Sequence, residues 1–224
     1  MPPKIKAKEA FYSGVTFRSR LEARWAIFFD IMGWDWDYEP CMFQITPKMR
    51  YLPDFYLPNQ QLWVEVKGQI FLSRESIAKT CAAVAGKRPI LLRSAPYGPA
   101  RRILFAGDMP SPTATSHPIH NLVTPGEPGK AAIQFCEFTP DDVRVVADPW
   151  IQWDASGVPA TRRPSEKMRQ AICNPGMVEG RCETSIIENA YIMCGTLKFN
   201  DKGPIIPPEV DYFLKQRLAG RPVR

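Results

Sequence analysis

Leu62-Trp63-Val64-Glu65-Val66-Lys67-Gly68 is the stretch on which the reading of this chain turns. Its alternation predicts a strand over Leu62 to Lys67 that ends at Gly68. Side chains two apart on a strand share a face, so Glu65 and Lys67 project together while Val64 and Val66 point the other way. An acid and an amine are thereby held side by side on a rigid element.

Upstream, Pro58-Asn59 reads as a turn and Arg50 to Leu57 as a second strand interrupted by Pro53. If the two strands pair as a hairpin, Asp54 comes across from Glu65 and Lys67. Further out, Trp34 to Ile45 is extended and broken or bulged at Pro40. Ser19 to Met32 reads as a helix, with Leu21, Trp25, Phe28, Phe29 and Met32 on one face and Gly33 as its stop. Downstream, Ser73 to Ala85 reads as a helix capped by Ser73, and Pro89 to Arg93 as a short buried strand. The expected order is α-β-β-β-α-β, an α/β fold.

Two carboxylates and a lysine in one place suit hydrolysis of a phosphodiester. Asp and Glu oxygens bind a hard cation such as Mg²⁺ and leave positions for water and for a phosphate oxygen. The metal lowers the pKa of its water, and Lys67 can orient that water or offset charge growing on phosphorus. Taken singly, each residue is ordinary: Glu-x-Lys on a strand is commonly a solvated ion pair, and an aspartate after proline is commonly a turn residue. Glu22 has two readings as well. Ser19-x-x-Glu22 is a capping-box pattern, and the glutamate also stands at the border of the apolar stripe, where it can lean over a sheet edge.

Together these segments resemble the PD-(D/E)xK nuclease superfamily, and within it the phage junction-resolving endonucleases and the endonuclease subunits of heteromeric transposases. The similarity is carried by Phe17-Arg18-Ser19-Arg20-Leu21-Glu22, by Trp36-Asp37-Tyr38-Glu39-Pro40, by Tyr51 to Asn59, and by Trp63 to Gly68. It is strong over about residues 12–70 and a matter of pattern over about 71–95. It implies a restriction-endonuclease-like core, a mixed sheet flanked by helices. It implies that Glu22, Asp54 and Glu65, with the Val66 backbone carbonyl, bind Mg²⁺ or Mn²⁺, that Lys67 assists the attacking water, and that DNA is cut to leave 5′-phosphates. The implied substrate is branched or junction DNA. The phage enzymes act as dimers, so a homodimer is one expectation.

The formal charge is +6, and residues 1–100 hold 14 Lys+Arg against 9 Asp+Glu while the rest hold 15 against 14. A basic first half suits an anionic partner. Arg18, Arg20 and Arg24 around Glu22, and Lys79, Lys87 and Arg88 around the second helix, are candidates for contact with DNA. Trp34, Trp36 and Trp63 read as core or rim. The six cysteines are scattered, which suits reduced thiols. No stretch approaches the roughly 18 apolar residues of a membrane span, and no secretory signal is evident, so a cytoplasmic location in a bacterial or phage-infected cell is expected.

Residues 1–97 are read as the nuclease core, and 98–130, dense in proline, as a linker or long loop. Residues 131–224 are read as an accessory α+β region of unassigned role. Within it AAIQFCEF and VRVVA read as strands, Ser165 to Ile172 as a short helix, and Glu209 to Leu218 as an amphipathic helix able to dock a protein partner. Two other functions fit the residues less fully. One is a DNA-binding module that does not cleave, and the other is a subunit of a transposition complex.

Overall fold

The computed structural model describes residues 7–68, 74–85, 90–91, 97–109, 116–147, 151–154, 176–179 and 185–219. A hairpin of β1 (Ala10–Tyr12) and β2 (Val15–Phe17) leads into α1 (Arg20–Met32). Ser19 caps α1 by accepting from the Glu22 amide, and Gly33 ends it at φ 78° with its amide on the Asp30 carbonyl. The apolar stripe continues all round the helix: nearly every residue from Ala23 to Met32 is buried. The sheet covers one side, and two C-terminal helices, α3 (Ser185–Thr196) and α4 (Pro208–Leu218), pack against α1 elsewhere.

After α1 the chain forms β3 (Asp37–Tyr38), β4 (Phe43–Thr46), β5 (Met49–Tyr51), β6 (Phe55–Leu57) and β7 (Leu62–Val66). Each of the two expected strands upstream of β7 is split at its proline, Pro40 or Pro53, because a residue without an N–H cannot continue a ladder. The hairpin is as expected, with Phe55 opposite Val64 and Leu57 opposite Leu62. Next come α2 (Arg74–Ala85), β8 (Ile90–Leu91) and β9 (Ile103–Ala106).

Of the strand expected over Pro89 to Arg93, the described residues Ile90 and Leu91 form β8, which pairs with β4 in a three-stranded side sheet with β5. The strand that lies parallel to β7 after α2 is β9, with Glu65 beside Phe105 and Val66 beside Ala106. All four residues of β9 are buried, as a strand flanked on both sides and covered on both faces must be.

β9 falls within 98–130, the stretch read as a linker, and so does β10 (Ser116–Pro125). Proline density misleads here because of where the prolines stand. Asn121, Leu122 and Val123 of β10 pair with β9, whereas Pro118 lies in the other half of the strand and Pro125 at its end. β11 (Lys130–Phe138) and β12 (Val143–Val145) extend the same sheet, followed in the chain by β13 (Ile151–Asp154) and β14 (Gly176–Glu179). The main sheet therefore runs β12-β11-β10-β9-β7-β6-β3, with β13 on β11 and β14 on β10. A last hairpin, β15 (Lys198–Asn200) and β16 (Gly203–Ile205), lies between α3 and α4.

This is a mixed α/β protein with a core on each face of the sheet. Leu62, Val64 and Val66 join the α1 side, and Trp63, Ile103 and Phe105 join the α2 side. Trp34, Trp36 and Trp63 are core residues, as expected. In α4, Val210 and Leu214 of the expected stripe are buried. Ser73 and Ser165 to Ile172 lie outside the described residues. No helix among the described residues is long and apolar enough to cross a membrane.

Candidate active site

Continuing the β6–β7 register by one residue puts Asp54 opposite Glu65. The Asp54 amide donates to the Val64 carbonyl at 3.0 Å, and the Val66 amide donates to Asp54 Oδ2 at 2.6 Å. Val66 thus meets Asp54 through its N–H. Lys67 Nζ stands 2.9 Å from Glu65 Oε1, and the Lys67 amide is tied to the Ala106 carbonyl on the parallel neighbour. Strand pairing on both sides therefore fixes the acid and the amine.

Glu22 arrives from the first turn of α1. Its Oε1 accepts from the Ser19 hydroxyl at 2.7 Å and its Oε2 from the Tyr38 hydroxyl at 2.6 Å and the Arg18 amide at 3.1 Å. The capping reading of Glu22 holds in part: Ser19 caps the helix and donates its hydroxyl to this carboxylate, whose charge also acts on Asp54 and on Lys67. Glu22, Asp54 and Glu65 are all buried.

Burial pushes the Asp54 carboxyl well above the usual range, and the neighbouring Glu65 and Glu22 carboxylates push it further. Lys67 and the Val66 N–H act in the other direction without cancelling this. For Lys67, burial would lower the pKa, but Glu65, Asp54 and Glu22 outweigh it and hold the ammonium charged. The raised Asp54 carboxyl holds its proton; were it to ionise beside Glu65 and Glu22, one ammonium would leave a net charge of −2 among buried side chains, which a divalent cation neutralises.

The donor set fits such a cation: hard carboxylate oxygens, with Glu65 Oε2 buried and without a hydrogen-bond partner. As they stand, no three His, Cys, Asp or Glu side chains among the described residues are close enough to hold a metal ion. A cation held by all three carboxylates would need them closer together than they stand.

Three further residues belong to this neighbourhood and were not singled out from sequence. Tyr38 bonds Glu22, and its phenol is pushed up by burial and by that bond, so it stays a donor. Tyr51 is fully buried, and its phenol is pushed up by burial and then by the Glu65 charge. Glu39 has φ 45°, a left-handed conformation that costs a non-glycine residue roughly 1–3 kcal/mol. The Tyr38-Glu39 pair inside the quoted motif was the available signal.

The candidate DNA contacts divide. Arg18 is exposed and pairs with Glu39 Oε2 at 2.9 Å. Arg20 and Arg24 lie over the Phe199 ring and donate to the Asn200 and Leu197 carbonyls, so they hold the β15–β16 hairpin against α1. Lys79 pairs with Glu75 one turn earlier on α2. Lys87 and Arg88 lie outside the described residues. Comparison of the chain with family models, with curated proteins and with solved structures gave no match, so its function is read from this geometry.

Proposed function

We propose that this protein is a metal-dependent endonuclease that hydrolyses DNA phosphodiester bonds, with Glu22, Asp54, Glu65 and Lys67 as its active site. The observation that carries the reading is their convergence. Residues from a helix, from the approach to one strand and from the end of the next come within electrostatic reach of one another as three acids and one lysine. A module that only bound DNA would not gather unbalanced carboxylates where a polyanion must lie.

The core order supports a restriction-endonuclease-like fold. Helix α1 precedes three strands of the main sheet, β3, β6 and β7, and α2 then leads to β9 parallel to β7. That is the α-β-β-β-α-β arrangement of the PD-(D/E)xK superfamily. Asp54, Glu65 and Glu22 would hold Mg²⁺ or Mn²⁺, which when bound supplies a water of lowered pKa and a positive charge beside the scissile phosphate. Lys67, held charged among the acids, is placed to orient the attacking water and to offset charge on the phosphate oxygens. Branched DNA is the proposed substrate and a 5′-phosphate end the proposed product.

The test is cleavage of labelled linear, nicked, single-stranded and four-way-junction DNA with Mg²⁺ or Mn²⁺, by wild type, Lys67→Ala and Glu65→Ala. Cutting by wild type and by neither variant supports the reading, and the preferred DNA identifies the substrate. Binding without cutting in either metal replaces it with a DNA-binding module or a transposition subunit.

A further inference from the structure

Glu39 combines four features that no packing role explains. It adopts φ 45°, where glycine or asparagine would sit with less strain, and it is followed by Pro40. Its amide donates to the Asp54 carbonyl at 2.9 Å, which locks this backbone to the strand carrying a site acid. Its Oε1 is buried without a hydrogen-bond partner, and its charge acts on Glu22 and Lys67. Its Oε2 holds the guanidinium of Arg18, a side chain 66% exposed.

Arg18 is fixed from both ends. Its amide donates to Glu22 Oε2 and to the Tyr38 hydroxyl, each at 3.1 Å, so its backbone is anchored on the candidate active site. Its guanidinium leaves that anchor and meets Glu39. Beyond it opens a groove of about 720 Å³ lined by Ala7, Lys8, Glu9, Arg18, Arg20 and Asp201, three cations against two acids. A guanidinium held by one carboxylate keeps donors free for a phosphate, and a preset geometry lowers the entropy lost on binding one.

We propose that Glu39 is a positioning residue acting through Arg18: it sets the exposed guanidinium, whose backbone is anchored on Glu22, to grip a backbone phosphate of the DNA next to the bond being cut. This rests on the nuclease reading and adds a residue and a role to it. Because Glu39 is itself an anion, its loss does not weaken attraction for DNA. What is lost is alignment, so turnover falls while affinity holds.

The experiment measures kcat, KM and the salt dependence of binding on a labelled four-way junction and on a linear duplex made from one arm, with melting temperatures alongside. Glu39→Gln is expected to lower kcat by about 10-fold or more with KM unchanged or lower. Arg18→Ala should lower kcat at least as far, and should also raise KM and reduce the slope of log affinity against log salt by about one. The double variant should turn over no more slowly than Arg18→Ala, because Glu39 acts through Arg18. Glu39→Gly, which removes carboxylate and strain together, should melt at or above the wild-type temperature yet remain slow.

Wild-type kcat in Glu39→Gln or Glu39→Gly, or additive losses in the double variant, overturns the proposal and leaves the nuclease reading standing. A wild type that neither binds nor cuts either DNA overturns both.

Discussion

Two buried polar clusters on one sheet are built on opposite principles. At the end of β7, Glu22, Asp54 and Glu65 share a single lysine. Two and three strands away, on β10 and β11, Glu137 has a partner on each oxygen: His117 Nε2 on Oε2 and the Arg144 guanidinium on Oε1. Burial pushes the Glu137 carboxyl up, yet Arg144 and His117 outweigh burial and it ends below the usual range. Asp54, more deeply enclosed and faced by the Glu65 and Glu22 carboxylates, ends well above it. One cluster is balanced and contributes stability, whereas the other is held short of positive charge by the fold around it. Such a deficit persists only where the surrounding structure imposes it, and it is expected at sites that act on something.

The largest effects should separate the clusters by what each loses. Glu65→Gln should lower DNA cleavage by about 10²–10³-fold, the size of losing one electrostatic group at a reacting centre, while its denaturation midpoint stays or rises. Glu137→Ala should do the reverse. Leaving His117 buried without its partner should cost about 3 kcal/mol in urea unfolding, with cleavage by the folded fraction unchanged. Equal loss of stability in the two variants would erase the distinction.

Divalent cations should sharpen it. A ligand of the folded state at 100 times its dissociation constant stabilises by about 2.7 kcal/mol, so Mg²⁺ or Mn²⁺ should raise the wild-type melting temperature. The rise should vanish in Glu65→Gln and survive in Glu137→Ala. A metal shift that survives in Glu65→Gln would place the cation elsewhere.

The pairing that makes the first cluster was legible in sequence because every step was local. Alternation set the face of Glu65 and Lys67, a short turn set the hairpin, and a cap pattern marked the start of α1. What was not legible depended on contacts distant in the chain. Glu39 and Tyr38 matter because their strand returns to the N-terminus of α1. Arg20 and Arg24 read as phosphate contacts until Phe199, far along the chain, occupies their guanidinium faces. The stretch around Ile103 to Ala106 was hidden because its flanking prolines and glycines outweigh a four-residue apolar run in any composition window. Only the partner strand shows that those prolines spare the β9–β10 ladder.

Acid should separate a third buried group, His120, from Asp54. His120 Nε2 lies 2.6 Å from the Tyr191 hydroxyl, and burial lowers its pKa to about 3. An imidazole depressed in the fold gives stability that is complete above its unfolded value near 6.5 and is lost as pH falls toward 3. That loss is on the order of 5 kcal/mol over the whole range. Asp54 runs the other way: its raised carboxyl contributes fully below its unfolded pKa of 3.8, and the contribution is lost as pH rises through the folded value. The difference between wild type and His120→Gln isolates the histidine limb. It should narrow steadily from pH 6.5 downward, and a constant difference would mean the imidazole is not held neutral.

The smallest expected effect asks which partner holds Glu137. The Arg144 side chain is 56% exposed, whereas that of His117 is 11% exposed. Water and salt screen the outer pair, so Arg144→Ala should cost about 0.5–1 kcal/mol at low ionic strength and less near 1 M salt. The buried His117 contact should be insensitive to salt. If Arg144→Ala instead costs as much as Glu137→Ala, and does so at every salt concentration, the arginine is the true counter-charge. The balance on β11 would then depend on an exposed cation, and the contrast with Lys67, charged and mostly enclosed among its acids, would lose its physical basis.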